Sequence, residues 1–195
     1  NKILFITLFT SKKRLIKMKF DTIGITTEHK LDVIVSDIPH YEANKSKIIE
    51  LIDNEVDPHN NKTNLKCHMT KWDMSLHTSF SMIGNKACEL ATSYTLLKKD
   101  HKRAFSVGAL WGARYTDDQY AKEHDHYPAL WSGVAFIDCP EGSGALVFPT
   151  CDYKHKPKNG QMILVPSYLR HYVEPSALGV RRYIVAYNIV PTKYL

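Results

Sequence analysis

The sequence has no apolar run long enough to cross a bilayer, no internal repeat and no low-complexity segment. It also has no Cys-x-x-Cys pair. The wide spacing of the four cysteines favours reduced thiols in a cytosolic protein over a disulfide scaffold. These cysteines are Cys67, Cys88, Cys139 and Cys151. We therefore expect a cytoplasmic protein without a membrane span.

Net positive charge is small outside the N-terminal segment. The formal net charge is +6, but five of these charges lie in residues 1–17, which contain no acid. They belong to Lys2, Lys12, Lys13, Arg14 and Lys17. The rest of the chain is close to neutral and gives no strong nucleic-acid signal. We expect residues 1–17 to be a basic leader or disordered extension, with a membrane-surface or packing segment as the alternative, and residues 18–195 to be a single domain.

The pattern of apolar residues divides this domain into two parts. Helical spacing predicts helices over 44–56 and 82–99, within a supporting region at 40–100. From 104 to 190 short β-rich runs alternate with Gly/Pro turns, and residues 116–123 are expected to form a loop. The strands are predicted at 104–115, 129–138, 145–148, 161–165, 171–173 and 183–190. The predicted fold is α+β, mainly β: a jelly roll (cupin-like) with N-terminal supporting helices on one outer face.

Two histidines lie two residues apart, and a third follows much later in the chain. On a strand, His124 and His126 would share one face while Asp125 points away. His171 would arrive from another strand. Non-haem iron oxygenases bind the metal with two histidines and a carboxylate. We predict a metal site of His124, His126 and His171, with Asp125 as the alternative to His126 if a bulge re-aims it.

A basic pair follows the distal histidine and could hold an anionic cosubstrate. Strand alternation lets only one of Arg181 and Arg182 point inward. A guanidinium could form a two-point salt bridge with a dicarboxylate, which lysine cannot match. Tyr115, nine residues before His124, could donate its phenol to the same carboxylate or be an ordinary strand tyrosine.

These motifs, in this order, resemble the 2-oxoglutarate (2OG)- and Fe(II)-dependent dioxygenases, in their prolyl-4-hydroxylase-like branch. The resemblance covers roughly residues 111–190 and rests on Tyr115, His124-Asp125-His126, His171-Tyr172-Val173 and Arg182. Residues 67–74 look like a segment of small phage-encoded members. The resemblance implies a double-stranded β-helix core at 104–190.

The resemblance also implies cofactors and roles. Fe(II) would be bound by His124 and His171, and Arg182 would bind the distal carboxylate of 2OG, with Tyr115 at its other end. O₂ would be the oxidant, and ascorbate is expected as an additional reductant. His126 departs from the family pattern, which usually has aspartate there. Phe136 is a second departure, because relatives often have a cosubstrate-binding tyrosine at that place.

The favoured function is therefore a 2OG-dependent hydroxylase of a peptidyl residue such as proline, releasing succinate and CO₂. The partner would be a protein or peptide substrate. Three alternatives stay open: a three-histidine iron dioxygenase without 2OG, an oxygenase of a small molecule or nucleobase, and a non-catalytic cupin-like binding module. Arg182 argues against the first, because a buried cation without an anion is costly.

Overall fold

The structure is a computed structural model that describes residues 31–55, 64–97 and 104–192. Asp32–Leu195 form one compact unit. The predicted leader at 1–17 lies outside the described residues. Among the described helices, none is long and apolar enough to cross a membrane.

Two α-helices precede most of the strands in the described part of the chain. In chain order the elements are β1 (Ile34–Asp37), α1 (Tyr41–Asn54), β2 (Leu65–Lys66), β3 (His68–Met69), α2 (Thr78–Leu97), β4 (Phe105–Thr116), β5 (Tyr120–His124), β6 (Trp131–Asp138), β7 (Leu146–Phe148), β8 (Tyr153–His155), β9 (Gln161–Pro166), β10 (His171–Val173) and β11 (Arg181–Pro191). A 3₁₀ turn, Pro149–Cys151, separates β7 from β8.

The strands form two antiparallel sheets. The large sheet has the order β1-β9-β6-β11-β4-β3, and the small sheet has the order β2-β5-β10-β7-β8. Each sheet joins strands that are distant in the sequence, as a jelly roll requires. The predicted fold class, mainly β with helices before the strands, is confirmed.

The two faces of the large sheet bury different groups of side chains, as β11 shows. Its residues Val185 and Tyr187 belong to the core cluster that the helices complete, while Ile184 and Ala186 line a cavity. The helices bury side chains at helical spacing against this sheet. These are Ile48 and Ile52 of α1, and Phe80, Ile83, Ala87 and Ala91 of α2. The alternation of β11 therefore separates a supporting core from an internal cavity.

The prediction missed one strand that matters for function. Residues 116–123 were expected to form a loop, but Tyr120–His124 form β5. This strand pairs with β2 and with β10. Its sequence, with Lys122 and Glu123 exposed, has little apolar alternation. Pairing with its neighbours rather than intrinsic propensity therefore makes it a strand.

Candidate metal centre and active site

Two of the three predicted ligands face each other across neighbouring strands of the small sheet. His124 ends β5 and His171 begins β10, and the antiparallel register makes them direct partners. Their ring centroids lie 4.7 Å apart. Antiparallel pairing thus brings together two side chains that are distant in the sequence.

Backbone carbonyls fix the orientation of both rings. The Nδ1 of His124 lies 2.6 Å from the Lys122 carbonyl oxygen, and the Nδ1 of His171 lies 2.9 Å from that of Leu169. A carbonyl only accepts hydrogen bonds, so each Nδ1 carries a proton. In the neutral ring this leaves Nε2 free to bind a metal ion, and metal-binding histidines usually donate their other ring N–H to such a carbonyl.

His126 completes the group from beyond the end of β5. Its backbone N–H donates to the Ser167 carbonyl at 2.8 Å, and its carbonyl accepts from Ala129 at 3.0 Å. Its ring centroid lies 5.0 Å from that of His124 and 5.1 Å from that of His171. One nitrogen from each ring can be chosen so that all three lie within 4.8 Å of one another. The backbone bonds, not strand alternation, orient His126.

The structure does not bring Asp125 into this group. Its carboxylate accepts from the Tyr127 N–H at 3.1 Å and lies 3.5 Å from an Arg170 Nη1. Arg170 also donates to Glu123 at 2.7 Å. The pair of acids is therefore turned toward an exposed guanidinium. Sequence reasoning did not identify Arg170, although it directly precedes His171.

Burial keeps two of the imidazoles uncharged. Desolvation, with further contributions from His171 and His124, lowers the pKa of His126 to about 3. Desolvation and the neighbouring His124 lower the pKa of His171 to about 4. Both rings are therefore neutral near pH 7, which is the form that binds a metal ion.

The three histidines line a narrow space between the two sheets, which we call the deep cavity. Its volume is about 40 Å³, and apart from the histidines most of its lining is apolar, including Leu146, Phe148 and Ile184. Trp111 and Tyr115 of β4 also line it. Trp111 lies beside His126, with ring centroids 6.0 Å apart. Tyr115 follows four residues later, about 13 Å further along the strand.

At the Tyr115 end, a buried arginine is available for an anion. Arg182 is 2% exposed, and its guanidinium carbon lies 4.4 Å from the centroid of the Tyr115 ring. Its Nη1 donates to the Gly144 carbonyl at 2.5 Å, and its Nε has no partner. No salt bridge joins it to an acid in the described part of the chain. A buried cation in this condition fits a carboxylate ligand.

The other two predicted cosubstrate residues differ in position. Tyr115 is 1% exposed, and burial raises its pKa well above the usual range, so its phenol stays protonated. Arg181 is exposed and lies on the opposite face of β11 from Arg182, where it contacts the Tyr183 side chain. The structure thus brings Tyr115 and Arg182 together and leaves Arg181 outside the cavity. Phe136, where relatives often have tyrosine, is buried and stacks on His155 with centroids 5.4 Å apart.

A wider opening, the outer cleft, adjoins the histidines. Its volume is about 360 Å³, and His124, His126 and Trp111 line it as well as the deep cavity. Trp72 and Tyr127 add aromatic surface, and the Trp72 and Trp111 ring centroids lie 4.8 Å apart. Asp125 is the one charged residue among the described residues that line it. Trp72 belongs to the segment 67–74 noted in the sequence, but nothing in the sequence indicated that it would line this cleft.

Neither a protein-family model nor a curated protein matches this sequence. Several solved structures, however, are similar to this chain. A viral collagen prolyl hydroxylase from Paramecium bursaria Chlorella virus-1, in a 2OG complex, is 19% identical with a TM-score of 0.62, over 83% of this chain and 96% of that chain. A Pseudomonas putida prolyl-4-hydroxylase is 13% identical with a TM-score of 0.63, over 83% and 93%.

A third similar structure is a prolyl hydroxylase from Trichoplax adhaerens in complex with a hypoxia inducible factor peptide fragment. It is 11% identical with a TM-score of 0.52, over 81% of this chain and 83% of that chain. Similarity at these identities establishes the fold. The chain therefore has the double-sheet fold of the prolyl hydroxylases and related 2OG-Fe(II) oxygenases, and its chemistry depends on its own residues.

Proposed function

We propose that the protein is a 2OG- and Fe(II)-dependent dioxygenase. The observation that carries this proposal is one cavity with three clustered histidines at one end and Tyr115 at the other, where the buried Arg182, without an acid, packs against the Tyr115 ring. The histidine cluster suits a metal ion, and the buried arginine suits an anion that reaches from the metal into the apolar interior. Neither feature is needed for a packed core.

His124, His126 and His171 would hold Fe(II) through Nε2 of the first and last and one ring nitrogen of His126. Arg182 would bind the distal carboxylate of 2OG, and the protonated Tyr115 phenol could donate to the same molecule. The orphaned Nε of Arg182 and the two carbonyl-fixed Nδ1 atoms support this fit. Arg181, exposed on the other face, is not part of the proposal.

With O₂, the iron and 2OG supply the oxidising chemistry, in which 2OG becomes succinate and CO₂ and one oxygen atom enters a C–H bond of the substrate. The chain's own contribution is position and exclusion of water. The apolar lining keeps bulk water from the site, which strengthens the interaction between Arg182 and an anion. Three imidazole ligands would add no negative charge to a bound metal ion, which would favour the binding of anionic 2OG.

We propose a peptidyl residue as substrate, with proline as the first to test. The similar structures named above act on prolyl residues according to their names, and one holds a peptide fragment. The outer cleft supports a peptide over a nucleic acid, because no Lys or Arg is among the described residues that line it. Nucleic-acid binding depends on phosphate contacts from such residues.

His126 favours a second candidate, a three-histidine dioxygenase that needs no 2OG. Three neutral ligands differ from the two-histidine-one-carboxylate set of hydroxylases and would change the redox properties of the metal. Arg182 opposes this candidate, because without an anionic cosubstrate its charge would stay buried and unpaired. The two candidates therefore differ in their need for 2OG.

The test is succinate formation. Protein supplied with Fe(II), 2OG, O₂ and ascorbate should release succinate slowly without a substrate, and faster with a peptide that gains the mass of one oxygen. An Arg182→Ala variant serves as the control. Succinate release no higher than that of the control would refute the proposal, and substrate oxidation without 2OG would establish the second candidate.

A further inference from the structure

Three buried polar atoms without a hydrogen-bond partner lie together on the cavity face of the large sheet. They are the Trp111 Nε1 on β4, the Asn188 Oδ1 on β11 and the Ser132 Oγ on β6. We call these residues the polar row. They make up half of the six such side-chain atoms found among the described residues. Buried polar groups normally have partners, so a cluster of exceptions indicates that something else supplies them.

The strand register explains why these residues are neighbours. Asn188 pairs directly with Ser132 of β6. On the other side it pairs with Ala109 of β4, two residues from Trp111. Side chains in such direct and diagonal positions on one face can interact with the same small group.

The row also lies where the two openings meet. Trp111 lines both the deep cavity and the outer cleft, Ser132 lines the first, and Asn188 lines the second. Trp111 and Ser132 are each 2% exposed. Trp111 is also the row member beside His126. A ligand that reaches from the outer cleft toward the histidines therefore lies beside Trp111 and Asn188, with Ser132 next to Asn188 on the neighbouring strand.

The chemistry of the row selects an uncharged amide. The Trp111 indole N–H can only donate, the Asn188 oxygen can only accept, and the Ser132 hydroxyl can do either. A peptide group offers a carbonyl acceptor and an N–H donor in the same plane. A carboxylate or phosphate would place its negative charge against the Asn188 oxygen.

We infer that Trp111, Ser132 and Asn188 form a specificity site that binds one main-chain amide of the substrate beside the candidate metal centre. Trp111 donates to the amide carbonyl, and Asn188 accepts from the amide N–H. The inference rests on the proposed function, because it assumes that a peptide enters the outer cleft.

The test compares two nearly isosteric probes, N-acetyl-proline methylamide and N-acetyl-proline methyl ester, on protein supplied with Fe(II) and 2OG without O₂. The ester lacks the N–H from which Asn188 would accept a hydrogen bond. Ligand-observed NMR should give a dissociation constant about fivefold lower for the methylamide.

Two variants test the separate roles of the row members. Asn188→Leu should bind the two probes equally. Trp111→Phe should weaken both by a similar factor, because both keep the carbonyl.

Trp131→Phe is the matched control. Its Nε1 is also buried without a partner, but it packs beside Tyr94 and lines neither opening. Equal binding of the two probes by the natural protein would overturn the inference, and this comparison needs no variant to fold. A preference that persists in Asn188→Leu, or an equal loss in Trp131→Phe, would also overturn it. Binding needs no turnover, so absent succinate would refute the proposed function separately.

Discussion

The deep cavity has a histidine end and, at Tyr115, an end against which Arg182 packs, here called the arginine end. The two ends are built from different parts of the fold. At the histidine end, His171 is buried and the other two histidines are half-buried, and His126 lies beyond its strand, oriented by two backbone hydrogen bonds. At the arginine end, Arg182 and Tyr115 are cross-strand partners inside the large sheet, and both are buried. The candidate anion site is therefore enclosed, whereas the candidate metal site opens toward the outer cleft, where a substrate can reach it.

The strongest test of the histidine end removes its most buried ligand. His171→Ala should abolish stoichiometric Fe(II) binding, because two remaining histidines cannot form a three-ligand site, and succinate formation should be lost with it. Metal content after dialysis measures this. His155→Ala is the matched control, since His155 is also buried but contacts Tyr153 and Gln161. Retained stoichiometric iron in His171→Ala would show that another residue is the ligand.

At the same end, either His126 or Asp125 could be the third metal ligand, and single substitutions distinguish the two arrangements. His126→Ala should weaken Fe(II) binding by at least about 100-fold, more than the loss of a group that only hydrogen-bonds to a ligand. Asp125→Ala should leave the affinity within about threefold, because its contact with Arg170 is exposed and such pairs contribute little. Metal titration of both variants measures this, and the reverse result would make Asp125 the ligand.

The substitution His126→Asp restores the carboxylate that relatives usually have. A gain in succinate formation would show that the three-histidine set limits turnover in the natural protein. Lower turnover with unchanged metal binding would instead show that the surrounding residues are adapted to a neutral ligand.

The arginine end is tested with neighbouring arginines. Arg182→Ala should raise the dissociation constant for 2OG by about 30-fold or more, equivalent to about 2 kcal/mol for a buried charge contact. Arg181→Ala removes the same charge from the exposed face and should change it little. Calorimetry on iron-supplied protein without O₂ measures both. An equal effect of the two substitutions would show that charge, not the buried guanidinium, holds the cosubstrate.

The sequence indicated which residues would lie at each end of the cavity better than it indicated the contacts that orient them. Apolar periodicity was sufficient for α1, α2 and the long strands, because their patterns match the buried faces. It failed for β5, whose charged residues are held in place by pairing with β10. Strand alternation correctly grouped His124 with His126, but for the wrong reason, since the turn after β5 orients His126. The orphaned atoms of Trp111 and Asn188 depend on packing between sheets, which no local pattern encodes.

Thiol reactivity gives the smallest expected effect and reports on enclosure at the arginine end. Burial raises the pKa of Cys67, which interacts with Tyr115, to about 12. The reactive form is the thiolate, so this thiol stays protonated and unreactive at pH 8 and gains reactivity only as the pH approaches that value. Iodoacetamide at pH 8, followed by mass spectrometry, should therefore label exposed Cys151 first and leave Cys67 unmodified. Cys139, whose pKa burial raises to about 12, is the buried control. Labelling of Cys67 as fast as Cys151, with Cys139 protected, would show that the arginine end opens to solvent and that the proposed enclosure of the anion is wrong.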